Sequence, residues 1–463
     1  HPTNVNSLES MRAQRNIALK LEEGDTKALE QAIKEYQEIP ISPRDKNGAP
    51  KTLTVREETE NMLYSLGNIY DDLPRVYKNY DASLTKHSAQ NSGDYDHRTL
   101  QLQTRLGAWG SSGDKDGNGN VTAETTLEAI ALHTQKALEK YINNLDKIPA
   151  LSRWKEDFKQ KLTTLTPLAD EISTLRQNAK DTASGSANFS PQDLSREFDR
   201  LSKELADLRS GLNAKEFEKA LSDQAKSDTS KNDTESLNLL RRFRTFGFGF
   251  GKIEYRETAE EYNRIVEALI PEYKGEPKDR VQILTKILTE QKESPAEYLA
   301  KNIDRIINDG AGKKYSGSDV MPIAYHTIKR MQLARDFGDV IKDNVLAECG
   351  KLEFGDKNRK PTIEETTNQG VANILEAQFL QRAVQERIGE KSKRATLGII
   401  PLFEETETMK NIGNVMRAAY RNPAYKTHLE LLQGDANKPI QQVMIAHSDN
   451  ARRAGSQAAR AYI

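Results

Sequence analysis

A single cysteine, Cys349, serves a chain of 463 residues, so no internal disulfide can form within it. That scarcity suits a reducing compartment, and a cytoplasmic location is expected. No apolar run reaches the length needed to span a bilayer, and mean hydropathy is -0.75. No signal-peptide pattern opens the chain. Charged residues make up 30% of the sequence, yet the net charge is only -1. A balance so even points to no nucleic-acid partner and contains no acidic tail. Length alone suggests about three domains, but barrel folds run long as single units. The first residue is His rather than Met, and Ala461-Tyr462-Ile463 fall within a helical pattern. Both ends are therefore expected to be cut points within a longer product.

What is present is mostly helix. Apolar residues recur at helical spacing from Leu8 to Glu38 (Met11, Ile17, Leu21, Leu29, Ile33). The stripe is clearest from Thr125 to Leu145, where Leu127, Ile130, Leu138, Tyr141, Ile142 and Leu145 align. Further helices are predicted over 168–177, 194–212, 258–269, 278–291, 296–307, 320–341, 370–388 and 405–419. The stretches 178–190 and 222–236 are rich in Ser, Asp, Asn, Lys and Thr, and they read as polar loop insertions. Four short apolar runs read as strands: 246–255, 344–348, 396–403 and 442–446. Each is separated from the next by helix, which argues for a parallel sheet with helical crossovers. The stronger runs end on polar clusters at Arg256, Glu404 and His447-Ser448-Asp449. Chemistry gathers at that end of barrel strands.

Several motifs carry a functional and a plain structural reading. Asp114 to Thr125 places oxygen ligands at loop positions 1, 3 and 5 and Gly119 at the turn, like a calcium-binding loop. Position 12, however, is Thr125 rather than Glu, and no entering helix precedes the loop. A turn leading into a helix capped by Thr122 is favoured. Gly247-Phe-Gly-Phe-Gly251 lacks the spacing of either phosphate-binding glycine loop. It reads instead as a strand with Phe246, Phe248 and Phe250 on one face. Arg256, Glu404 and Asp449 taken singly would be ordinary salt-bridge or capping residues. Converging on one rim, they would suit a Mg2+ ion holding an anionic substrate.

Taken in order, these motifs resemble those of the phosphoenolpyruvate carboxylases. His1-Pro2-Thr3-Asn4 is similar to the family's His-Pro-Thr-Glu. Trp109 followed by Gly113-Asp-Lys-Asp-Gly-Asn118 resembles Trp-x-Gly-Gly-Asp-Arg-Asp-Gly-Asn-Pro. Phe246-Gly247 through Glu254-Tyr255-Arg256 resembles a Phe-Gly segment ending in Leu-Asp-Ile-Arg. Pro401-Leu-Phe-Glu404 matches Pro-Leu-Phe-Glu, and 442–449 with Ala454-Gly455 resembles the family's Tyr-Ser-Asp segment.

The resemblance implies an α/β, helix-rich fold. It is a TIM-like (α/β)8 barrel embedded in many extra helices, with about six of the eight strands lying in 1–463 as one incomplete domain. It implies a lyase that carboxylates phosphoenolpyruvate with bicarbonate to give oxaloacetate and phosphate. Glu404 and Asp449 would hold Mg2+ or Mn2+. Arg256 would act in catalysis and bind substrate, and His1 would be the base of the carboxylation step. Trp109, Asp114, Lys115, Asp116 and Arg452 would line the substrate site. A homotetramer is expected from the family. Departures stand at Lys115 (Arg in the family), Gly119 (Pro), His447 (Tyr) and Arg452-Arg453 (Lys-Asp). The family's glycine- and arginine-rich loop lies beyond residue 463, so this segment alone is expected to be inactive. Two other readings stay open: a catalytically impaired homologue acting as a binding module, and a calcium-binding helical protein using 114–125.

Overall fold

A computed structural model describes residues 7–40, 43–44, 48–49, 51–90, 108–109, 112–115, 118–228, 234–290, 293–313, 319–352, 359–386, 397–433 and 440–446. Helices dominate it, and five short strands lie among them: β1 (Ala108–Trp109), β2 (Lys252–Thr258), β3 (Ile341–Ala347), β4 (Gly398–Phe403) and β5 (Met444–Ile445). All neighbours are parallel and the sheet order is β1-β2-β3-β4-β5. Parallel neighbours demand long crossovers, and here these are helices.

Each strand sits beside its predecessor, so the winding never reverses. The side chains divide accordingly. Ile253, Tyr255, Ile341, Leu346, Ile399 and Phe403 belong to the main helix-packed core. The register pairs Arg256 with Val345 and Val345 with Ile400. On that second face, Val345, Ala347, Ile400 and Leu402 form a small cluster of their own, with Met444 and Ala446 against it.

The helix Ala123–Leu145 starts where the sequence places it. Thr122 and Thr125 form a reciprocal capping box: the Thr122 hydroxyl accepts from Thr125 N–H and the Thr125 hydroxyl accepts from Thr122 N–H. The predicted stripe is buried apart from half-buried Ile142. The first half of the helix is buried on every side, so it is a central element rather than a surface one.

Other expectations needed correction. The 8–38 pattern is two helices, Leu8–Glu23 and Thr26–Glu38, divided at Gly24 with φ 72°. The helix Val55–Gln90 was not foreseen. Residues 178–184 are not a loop, because the helix Ser152–Ser184 runs through them to a left-handed cap at Gly185. Residues 222–227 complete the helix Ala214–Ser227, anchored by buried Leu221 and Ala225. Residue 341 belongs to β3, not to the preceding helix, which ends at Asp336.

The glycine–phenylalanine run is also not a strand. Phe246 ends the helix Glu235–Phe246, and Gly247, Phe250 and Gly251 all have positive φ (54°, 42° and 102°). The run is a turn whose phenylalanines plug an aromatic cluster. Phe248 lies 5.2 Å from Phe243 and 5.4 Å from Phe158, and Phe250 lies 5.0 Å from Phe246. Its carbonyls are bonded to Tyr141 (2.7 Å, from Gly247) and His133 (2.8 Å, from Gly249). A Cβ on Gly249 would meet the Asp339 carbonyl at 3.1 Å. Glycine there serves close packing.

Candidate active site

The site begins with a close approach of two backbones. Beyond β1, the segment 112–115 runs parallel to β2. Arg256 N–H donates to Gly113 O (2.9 Å), and Lys115 N–H donates to Arg256 O (3.3 Å). Asp114 is thereby set opposite Arg256. Only glycine fits at 113, since a Cβ there would lie 1.9 Å from the Glu254 carbonyl oxygen.

Strand alternation then sorts the side chains. Arg256 and Asp114 share the face that carries Val345 and Ile400. Arg256 Nη1 lies 3.4 Å from Asp114 Oδ2, and Arg256 Nε donates to Glu254 at 2.9 Å. Two carboxylates thus hold a planar, half-buried guanidinium, and the strand does not end on Arg256 as expected but continues to Thr258. Such a fork is suited to phosphate or carboxylate. Glu404 is half-buried and follows β4 directly, continuing the row of Ile400 and Leu402. It lies two strands across from Arg256 and four residues further along.

Lys115 lies on the opposite, helix-packed face. Its side chain is fully buried, 3.4 Å from Glu257 Oε2 and 3.6 Å from Glu261 Oε2. The fully buried Arg330 completes the group: Nη1 donates to Glu257 Oε1 and Nη2 to the Gly113 carbonyl. Its guanidinium stacks 4.5 Å from the Tyr255 ring centre. Burial opposes ionisation of Glu257, but Lys115 and Arg330 outweigh it and hold that carboxyl below the usual range. Burial and the charge on Glu257 push Glu261 up to about 9. One carboxylate is therefore charged and its neighbour protonated near neutral pH.

Of the residues singled out from sequence, Asp114 and Arg256 are brought into contact, and Glu404 joins them on one face of the sheet. Lys115 is turned away. Trp109 lies in β1 with its backbone paired to Ile253. His1, Asp116, Asp449 and Arg452 fall outside the described residues, as do His447 and Arg453. Asp449 comes three residues after Ala446, whose N–H donates to Phe403 O at 3.1 Å, the residue before Glu404. Glu404 and Asp449 together would supply only oxygen donors, a chemistry that fits Mg2+ or Mn2+. Within 114–125, Asp114 is used on Arg256 and Thr125 in the capping box, while Asn118 accepts from Asn120 N–H at 3.1 Å. These contacts are those of a structured turn. Among the described residues, no group of three or more His, Cys, Asp and Glu is placed to hold a metal. No helix among them is long and apolar enough to cross a membrane.

Sequence reasoning missed Glu257, Glu261 and Arg330. One signal existed: Arg256-Glu257 puts adjacent charges on a strand, so one of them must enter the packed face and find a partner. Nothing local marks Arg330 as that partner.

The chain matches the profile of the phosphoenolpyruvate carboxylase family over residues 1–302 and 345–461. It belongs to that family. Curated phosphoenolpyruvate carboxylases similar to it include those of Chromobacterium violaceum (23% identical; 87% of this chain, 42% of the relative), Nitrosomonas eutropha (24%; 87% and 41%) and Burkholderia mallei (22%; 98% and 45%). The chain spans less than half the length of these relatives. The contact between Arg256 and Asp114 joins two of the phosphoenolpyruvate carboxylase motifs that the sequence keeps far apart.

Proposed function

We propose that the complete protein carrying this chain is a phosphoenolpyruvate carboxylase. The observation that carries this reading is the pairing of Arg256 with Asp114 near the carboxyl end of β2, on the sheet face shared with Glu404. We further infer that the sheet is part of a closed (α/β)8 barrel. A singly wound parallel order puts all crossovers on one face. The apolar cluster on the other face, around Val345 and Ile400, then needs further strands to enclose it.

In this reading bicarbonate oxygen attacks the phosphorus of phosphoenolpyruvate, and the enol oxygen leaves as an enolate. Carboxyphosphate then breaks to phosphate and CO2, and the enolate carbon captures the CO2 to form oxaloacetate. Atoms and charge balance without an external redox partner. Arg256 would hold phosphoryl or carboxylate oxygens in a fixed plane and stabilise charge developing there. Glu404 and Asp449 would hold the divalent cation, which when bound supplies Lewis-acid stabilisation of oxyanions. His1 would serve as base in the carboxylation step, with Trp109, Asp116 and Arg452 about the substrate. Enclosure would keep water from protonating the enolate.

One observation favours a second reading, a catalytically impaired homologue. Lys115 stands where the family resemblance calls for Arg, and it faces the carboxylates of the packed side rather than Arg256. A coupled assay on the complete gene product, with phosphoenolpyruvate, bicarbonate and Mg2+, separates the two. The carboxylase reading expects bicarbonate-dependent oxaloacetate that falls at least about 10³-fold in Glu404→Ala. A folded complete protein with no activity would sink it in favour of the impaired homologue. Residues 1–463 alone are expected to be inactive, and steady oxaloacetate production by them would refute that.

A further inference from the structure

We propose that Lys115, Glu257, Glu261 and Arg330 form a positioning clamp behind the site, and that Lys115 is kept out of contact with substrate. The consequence for substrate rests on the carboxylase reading; the clamp itself does not.

Arg330 is fully buried. A guanidinium with no solvent exposure is costly, and apolar residues of similar volume often serve stability as well. What this one adds is position. Its two donors diverge to two acceptors on adjacent backbone segments, Glu257 on β2 and the Gly113 carbonyl beyond β1. The same carbonyl accepts the Arg256 N–H. One oxygen therefore ties Arg330, Arg256 and the Asp114 segment together. A lysine cannot span both acceptors, because the fork geometry is arginine's alone.

Lys115 contributes from the same side. Its ammonium lies within 3.6 Å of both Glu257 and Glu261, which pulls residue 115 towards the helices while residue 114 faces Arg256. Alternation along the segment means that the more firmly Lys115 is held behind the sheet, the more firmly Asp114 is presented in front. Thr327 steadies Glu257 from the helix Val320–Asp336, with its hydroxyl 3.3 Å from Oε1. Arg330 lies within 303–344, between the two blocks that match the family.

The test uses the complete protein with Arg330→Lys, the near-isosteric Glu257→Gln, and Lys115→Met. Amide hydrogen exchange is followed at Arg256 and Lys115, whose N–H groups bridge the two segments, with the helix Ser152–Ser184 as control. The clamp expects Arg330→Lys and Glu257→Gln to speed exchange at the bridge at least tenfold while the control helix is unchanged. It expects the KM for phosphoenolpyruvate to rise in step with that exchange in all three variants, more than kcat falls. If Arg330→Lys does not fold, Glu257→Gln carries the decision. Unchanged bridge exchange in the folded variants overturns the clamp. A raised KM in Lys115→Met with bridge exchange unchanged would show that Lys115 touches substrate. A wild-type protein without carboxylase activity would defeat the carboxylase reading while leaving the exchange result to decide the clamp.

Discussion

The two faces of β2 are built on opposite principles. On one, Arg256 and Asp114 are half-buried, and their charges lie near the end of β2 beside a small apolar cluster. On the other, Lys115, Glu257 and Arg330 are removed from water altogether and bordered by the main core. The half-buried charges keep partial access to solvent, and the fully buried ones each have a fixed partner. Alternate residues of one seven-residue strand divide between the two settings.

The sharpest way to break this contrast is Arg330→Met. It strips Glu257 of its closest cation and leaves a buried carboxylate with reduced compensation. Stability to denaturant is expected to fall by about 3–5 kcal/mol. The double variant Arg330→Met with Glu257→Gln should recover part of that loss, which chemical denaturation of all three proteins would show. Next comes Gly113→Ala. Its Cβ would run into the Glu254 carbonyl, and separating the two segments should cost about 1–3 kcal/mol by the same measurement.

The smallest effect at low pH, and the most informative across pH, belongs to Glu261→Gln. The folded protein keeps a proton on Glu261 that the unfolded chain gives up near pH 4.5. The folded state therefore binds more protons between about pH 5 and 9, and its stability falls as pH rises through that window. Glutamine mimics the protonated form beside Glu257, Lys115 and Arg330. At pH 5 the variant should match wild type within about 0.5 kcal/mol. Thermal melts should then diverge upward for the variant as pH rises to 9. Parallel melting curves would show that Glu261 is ionised in the folded state.

Part of the sheet's carboxyl-terminal edge was legible in sequence. Pro401-Leu-Phe-Glu404 reads as an apolar strand ending on a carboxylate, and it folds as one. Thr122 is a recognisable cap because hydroxyl side chains satisfy free N–H groups at helix starts. Legibility failed where composition or alternation pointed the wrong way. Residues 178–184 look like a loop by content, yet Ile172 and Leu175 bury the preceding turns and the helix continues until Gly185 can end it. Residues 246–251 alternate like a strand, but Phe250 adopts a left-handed backbone that alternation cannot reveal. The partnership of Arg330 with Gly113 crosses 217 positions, so no local pattern announces it.

The strand order has a consequence for how such a molecule can change. Each new strand is laid against the last, and right-handed crossovers in such an order leave the sheet on the same side. A connection can therefore lengthen outward without shifting the strand ends it joins. Among the described residues the crossing from β1 to β2 carries five α-helices, whereas that from β3 to β4 carries one. Length added to such a crossover would fall away from the sheet, leaving the register of Arg256, Val345 and Ile400 in place.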